Sequence, residues 1–276
     1  MKNIFFSLLF ICSLGAVAQI DRSTQPKPGP APEINLSEPE TFTLKNGLKV
    51  IVVENHKLPR VSYTLTLDNP PIAEGEKTGA AALSGALLGK GSANISKDDF
   101  NEEVDYIGAR MNFGSQYASA GGLSQYAERI LELLADAAIH QNFTQEEFEK
   151  EQEILIEGLK TNEKSVAAAA GKVSRALLYG KDHPKGEFET QESIEGITLA
   201  DAKAFYNKAF IPNNAYLVVV GDVDYKDVKD WVTTFFKDWE KGAALSNDFS
   251  TPENVATTEI NFVDMPNAVQ SQVIVE

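Results

Sequence analysis

Residues 79–92 read Gly79-Ala80-Ala81-Ala82-Leu83-Ser84-Gly85-Ala86-Leu87-Leu88-Gly89-Lys90-Gly91-Ser92. A helix is expected from about Gly79 to Leu88. Ala80, Ala81, Ala82, Gly85 and Ala86 leave it almost without side-chain bulk, so it is expected to pack closely on a neighbour. Ser84 is its one polar side chain. A serine nucleophile needs an activating base, and the surrounding sequence offers none, so Ser84 reads as a packing residue. Lys77-Thr78-Gly79 precedes the helix and Lys90-Gly91-Ser92 follows it.

Working outward, Thr41 to Leu44 alternates, Lys45-Asn46-Gly47 turns, and Leu48 to Glu54 continues. The Asn-Gly step makes this a hairpin. Val61 to Leu67 alternates as a further strand. Beyond the small-residue helix, Ser96 caps a second helix with Asp98 and Asp99 in its first turn, ending at Tyr106-Ile107-Gly108. Two antiparallel strands are expected over 110–116 and 118–124. Helical spacing runs from Tyr126 to His140. Thr144 with Glu147 forms a capping box for a long helix to about Lys160, and Val166 to Leu178 is another helix. Thr198 caps a helix to Ala209, and Ala215 to Val220 is a buried strand ended by Gly221-Asp222. Lys226 to Trp239 is amphipathic, with Val228, Trp231, Val232, Phe235 and Phe236 inward. Glu259 to Phe262 and Val269 to Val275 read as new strands. Runs of strands followed by runs of helices give an α+β domain, a mixed sheet packed against helices.

The N-terminus reads as an export signal: Met1-Lys2, an apolar run from Ile4 to Leu14, and Ala16-Val17-Ala18 before Gln19. The run is too short to span a membrane, and Ile11 before Cys12 does not suit lipid attachment. Cleavage after Ala18 removes the single cysteine, Cys12. That excludes disulfides and thiolate chemistry from the mature chain and suits a bacterial periplasm. About 258 residues remain, enough for a full core. Pro26, Pro28, Pro30 and Pro32 make residues 19–38 a stiff leader. Forty acids against 25 bases give a formal net charge of −15, which argues against nucleic acid and anionic membrane as partners. The acids are spread along the chain as a solvated surface. Gly121-Gly122 lacks the helix N-terminus that a phosphate loop requires.

Several landmarks together resemble the insulinase (pitrilysin-like, M16) zinc peptidases. They are the hairpin at Asn46-Gly47-Leu48-Lys49-Val50, Gly108-Ala109 before a strand, and Leu131-Glu132-Leu133-Leu134-Ala135-Asp136. The long helix from Phe148 to Gly158 follows, then Asp182-His183-Pro184, Phe205-Tyr206, Pro212-Asn213-Asn214 and Val218-Val219-Val220-Gly221-Asp222-Val223. The resemblance covers about residues 40–240 and implies the insulinase-family α/β sandwich half, similar to mitochondrial processing peptidase. With the signal peptide over 1–18 and the leader over 19–38, it implies an N-terminal M16-like domain over 39–245, and over 246–276 a linker with the first strands of a truncated second such domain.

In that family the small-residue helix carries an inverted zinc motif, His-x-x-Glu-His, between a Thr-Gly and a Lys-Gly-Thr/Ser. The resemblance places its two histidines at Ala82 and Ala86 and its general base at Gly85. The distal glutamate ligand falls at Gly158, the last position of a pattern beginning at Glu151. Glu157 is adjacent but about 100° away around the helix. No catalytic residue, no metal ligand and no cofactor are therefore expected in this chain, since a catalytic zinc needs about three protein ligands. His56, His140 and His183 form no i, i+3 or i, i+4 pair and read as surface or cap residues. The family also pairs subunits lacking the motif with subunits that have it. The resemblance thus implies a non-catalytic partner of an active M16 zinc peptidase that carries the zinc and shares a peptide-binding chamber. Met111, Asn112, Phe113, Gly114 and Ser115 correspond to the family's peptide-binding edge strand. A binding or scaffold module with no proteolytic role is the alternative.

Overall fold

The Asn46-Gly47 turn joins β1 (Glu40–Thr43) to β2 (Lys49–Glu54) as an antiparallel hairpin, with Phe42 opposite Val50. Asn46 does more than turn the chain. Its amide nitrogen donates to the Phe236 and Trp239 carbonyls at 2.7 and 3.0 Å, and its Oδ1 accepts from the Leu48 N–H. The hairpin is thereby tied to a helix about 190 residues later in the chain. The structure is a computed structural model that describes residues 29, 38–243, 245, 249 and 251–276. The chain divides into two units, 1–37 and 38–276. Of the first only Gly29 is described, exposed and irregular. The expected signal peptide, and the leader apart from Gly29 and Glu38, lie outside the described residues.

Four more strands complete a six-stranded sheet: β3 (Arg60–Leu67), β4 (Arg110–Gly114), β5 (Tyr117–Leu123) and β6 (Ala215–Gly221), in the order β1-β2-β6-β3-β5-β4. β2 and β6 are parallel; every other pair is antiparallel. β3 alternates strictly, with Val61, Tyr63, Leu65 and Leu67 buried and the residues between them exposed. Among the described residues only one sheet face is therefore covered.

That face lies under α3 (Ala127–Ile139) and α8 (Tyr225–Phe236). Ile130, Leu131, Leu133 and Leu134 from α3 and Val228, Val232 and Phe236 from α8 are fully buried. Trp231 and Phe235, expected inward, are half-buried against the core's margin. The Tyr63 hydroxyl donates to the Ala127 carbonyl at 3.0 Å, so its polar tip is satisfied inside the core. The remaining helices are α1 (Ala80–Leu87), α2 (Lys97–Tyr106), α4 (Gln145–Asn162), α5 (Val166–Tyr179), α6 (Gln191–Glu195) and α7 (Leu199–Ala209). α1 packs against α7, α4 and β4. No described helix is long and apolar enough to cross a membrane.

Three expectations differ from the structure. The Thr144 hydroxyl accepts from the Glu147 N–H, but Glu147 does not complete the capping box; its carboxylate pairs with Lys97 at 2.7 Å and Lys150 at 3.2 Å. Two ammonium groups outcompete one backbone N–H for a carboxylate. The strand expected over 110–116 ends at Gly114, where Ser115 and Gln116 turn the chain. Residues 259–262 and 269–275 form no strand, and Val269 is 99% exposed. A strand gains its hydrogen bonds only from a neighbour, and among the described residues these segments have none.

Candidate functional site

α1 begins without a side-chain cap, since Gly79 occupies the cap position. The carboxylate of Glu74 substitutes, accepting from the N–H groups of Gly79 at 3.2 Å and Ala81 at 2.7 Å. Burial raises the Glu74 pKa above its ordinary value, against the lowering effect of those two donors. Glu74 is in turn held by Glu187, which accepts from the N–H groups of Glu74 and Gly75. Lys77 donates to the Gly196 carbonyl at 2.6 Å and pairs with Asp201, and the Ser193 hydroxyl donates to the Thr78 carbonyl. The Lys-Thr-Gly approach to the helix is thus bolted to α6 and α7. Sequence reading missed Glu74. Its signal is an acid just upstream of a helix whose cap position offers no acceptor.

The exit from α1 is anchored as firmly. Lys90 pairs with Glu151 of α4 at 2.7 Å, with Glu151 only 12% exposed. The buried Ser92 hydroxyl donates to Asp136 and accepts from the N–H groups of Asn94 and Ile95, each at 3.0 Å.

Between these anchors, Ala82, Gly85 and Ala86, the positions to which the resemblance assigns two ligands and a general base, carry only methyl groups and hydrogens. Ala82 and Ala86 are half-buried and Gly85 is buried. A β-carbon on Gly85 would lie 2.8 Å from the Gly114 carbonyl carbon and closer still to the Ser115 nitrogen. The β4–β5 turn therefore fills the space that any side chain at position 85 would need. Gly158 lies about two turns beyond Glu151 along α4, roughly 10 Å of rise. It is exposed, with no atom within 4 Å of a built β-carbon. Glu157 points to solvent, 71% exposed, and pairs with Lys160.

The histidines are scattered. His56 Nδ1 lies 2.8 Å from Asp222, whose carboxylate also accepts from the Ser124 hydroxyl. The hydrogen bond to Asp222 raises the His56 pKa, and the same contact lowers that of Asp222. His140 is the C-cap of α3. The His183 ring stacks on Tyr179, and its Nδ1 accepts from the Lys185 N–H at 3.1 Å. Among the described residues no three His, Cys, Asp or Glu side chains gather as a metal site. The donor set does not fit a zinc ion, and no hydrolytic step can be routed through these positions.

The fold does bring together α1, α4 and β4. Gly85, Ala86, Lys90, Asn112, Phe113 and Glu151 are among the residues lining an open cleft of about 370 Å³. Met111 also lines it, while Gly114 and Ser115 sit on Gly85 at its floor. β4 is an edge of the sheet, so its outer backbone groups have no strand partner.

Comparison with known proteins agrees with this geometry. Residues 196–275 match the model of the Peptidase M16 inactive domain. An uncharacterised zinc protease of Mycobacterium leprae is 24% identical over 201 residues, covering 70% of this chain and 45% of that protein. The mitochondrial cytochrome b-c1 complex subunit 1 of Bos taurus is 22% identical, covering 73% of this chain and 43% of that protein. The crystal structure of a peptidase M16 inactive domain from Pseudomonas fluorescens superimposes with a TM-score of 0.70 at 24% identity, covering 79% of this chain and 54% of that one. The chain spans about half the length of the curated relatives it matches. Family model, relatives and fold converge: this chain is a homologue of the M16 (insulinase-like) zinc peptidases, with the fold of one half of such a protein.

Proposed function

We propose that the chain is a non-catalytic partner subunit, contributing one wall of a peptide-binding chamber to an active M16 zinc peptidase. The observation that supports this reading is a packed contact, Gly85 against the β4–β5 turn, beside an edge strand and an open cleft. An extended peptide can add to β4 and gain main-chain hydrogen bonds, with Met111, Asn112 and Phe113 setting side-chain fit. The partner supplies the zinc and the general base. Export to the periplasm, with cleavage after Ala18, and a second M16-like domain beginning within 246–276 belong to the same proposal.

The test is reconstitution. An exported homologue with an intact His-x-x-Glu-His, encoded beside this chain, is purified with and without it, and cleavage of an unstructured peptide is followed. Co-purification and cleavage that depends on this chain are expected. Equal turnover by the homologue alone would sink the proposal. The second reading, a scaffold without proteolytic role, draws on the bovine relative, which is by name a subunit of the cytochrome b-c1 complex. It predicts stable association with a larger assembly and no effect on cleavage.

A further inference from the structure

We infer that the uncovered face of the sheet selects peptides that carry carboxylates and rejects basic ones. This rests on the peptide-binding role proposed above and names its substrate class. The argument comes from strand register. Val50, Val52, Val61, Tyr63, Leu65, Ala118, Ala120, Leu217 and Val219 fix the covered face. Residues of opposite parity face solvent. The six strands contain three cations, Lys49, Arg60 and Arg110, and all three fall on the open parity. Lys49 pairs in register with Tyr216, Arg60 with Leu123, and Arg110 with Gly121.

The strands contain two acids, Glu40 and Glu54. Both have the covered parity. Glu40 stands opposite Val52, and Glu54 accepts from the Tyr225 N–H at the start of α8. The chain has 40 acids and 25 bases, so an open face with cations and no strand-borne acid runs against its composition. None of the three cations has a carboxylate within 4.0 Å among the described residues. The Lys49 ammonium lies 5.0 Å from the Tyr216 ring centroid, which lays it over the face. Two carboxylates directly follow these strands, Asp68 after β3 and Asp222 after β6, and Asp222 is engaged by His56 and Ser124.

Arg110 is the decisive member because it lies on the edge strand. A peptide added to β4 places one side chain directly across from it on the open face, where an opposite charge is favoured and a like charge is not. Thr64, Ser119 and Asn112 on the same face offer hydrogen bonds without charge.

Two fluorescein-labelled octapeptides test this, one alternating threonine with glutamate and one threonine with lysine, titrated into the full chain by fluorescence anisotropy. The glutamate peptide is expected to bind about tenfold more tightly, with a preference that shrinks as salt rises. Arg110→Glu is expected to abolish or invert the preference. Lys226→Glu, on the helix that covers the opposite face, is expected to leave it intact. Equal binding of the two peptides, or tighter binding of the lysine peptide, overturns the inference and leaves the peptide-binding role standing. Binding of neither overturns both. A preference unchanged by Arg110→Glu in a variant with the parent's circular dichroism overturns the assignment to this face.

Discussion

A β-carbon on Gly85 would lie 2.8 Å from the carbonyl carbon of Gly114. Real β-carbons do not approach backbone this closely, and a backbone turn, unlike a flexible side chain, cannot rotate aside. The β4–β5 turn is therefore seated on Gly85 and fills the volume that a side chain there would need.

The first prediction follows from that seat. Gly85→Ala gains about 1 kcal/mol of intrinsic helix propensity, while forced overpacking costs roughly 1–3 kcal/mol. The overpacking term is expected to win, because the clashing atoms are main chain. Urea unfolding should show a lower midpoint for Gly85→Ala and a still lower one for Gly85→Glu. The triple variant Ala82→His, Gly85→Glu, Ala86→His should not recover stoichiometric zinc by elemental analysis. Tight zinc at unchanged stability would show that the turn yields easily.

The second prediction concerns the ion pair at the exit of α1. Glu151 is nearly covered, and Lys90 is its partner across the cleft. Lys90→Met removes the ammonium and leaves a mostly buried carboxylate, so a loss of roughly 1–3 kcal/mol is expected. Lys160→Met breaks an exposed pair with Glu157 and should cost about 0–1 kcal/mol. Chemical denaturation of both variants decides it, and equal effects would mean that the cleft pair is solvated.

Much of this fold was legible where a local pattern decides the outcome. The alternation of Val61 to Leu67 is the burial pattern of β3. Ser96, Thr144 and Thr198 each accept from the third N–H of the helix they open. What stayed hidden depends on distant partners. The apolar run Ala215 to Val220 shows a buried strand but not its neighbours, and β6 inserts between β2 and β3. The reach of Glu147 to Lys97 defeats a local capping rule. Apolar alternation at 259–262 and 269–275 does not make a strand without a neighbour. At the site, the absence of donors at Ala82, Gly85 and Ala86 follows once the resemblance assigns those positions to the zinc motif. The turn pressed onto Gly85 and the parity of Lys49, Arg60 and Arg110 could not, since both require the sheet's register.

The third prediction is a pH profile. His56 and Asp222 share a hydrogen bond at 2.8 Å, with the His56 pKa raised above 6.5 and the Asp222 pKa lowered below 3.8. A raised histidine contributes stability that is complete below 6.5 and is lost as pH climbs through its folded value. A lowered aspartate contributes stability that is present above 3.8 and is lost as pH falls through its folded value. The pair is thus fully formed between those limits. Asp222→Asn should lower the melting temperature more at pH 5.5 than at pH 8.5. An equal drop at both would assign the effect to Ser124 alone.

The last prediction runs in the opposite sense. Glu189 is half-buried near α1, and burial raises its carboxyl pKa above 4.5. A carboxyl whose folded pKa is raised binds its proton more tightly in the native state. Stability is then greatest below the ordinary value and falls as pH rises through the folded one. At neutral pH the ionised Glu189 works against folding, and its charge also raises the pKa of Glu74. Glu189→Gln removes the charge while keeping the side chain's size. Its melting temperature should exceed the parent's at pH 7.5, and the two should converge below pH 4.5. A variant less stable at pH 7.5 would show that the Glu189 carboxylate holds a favourable contact that outweighs its desolvation.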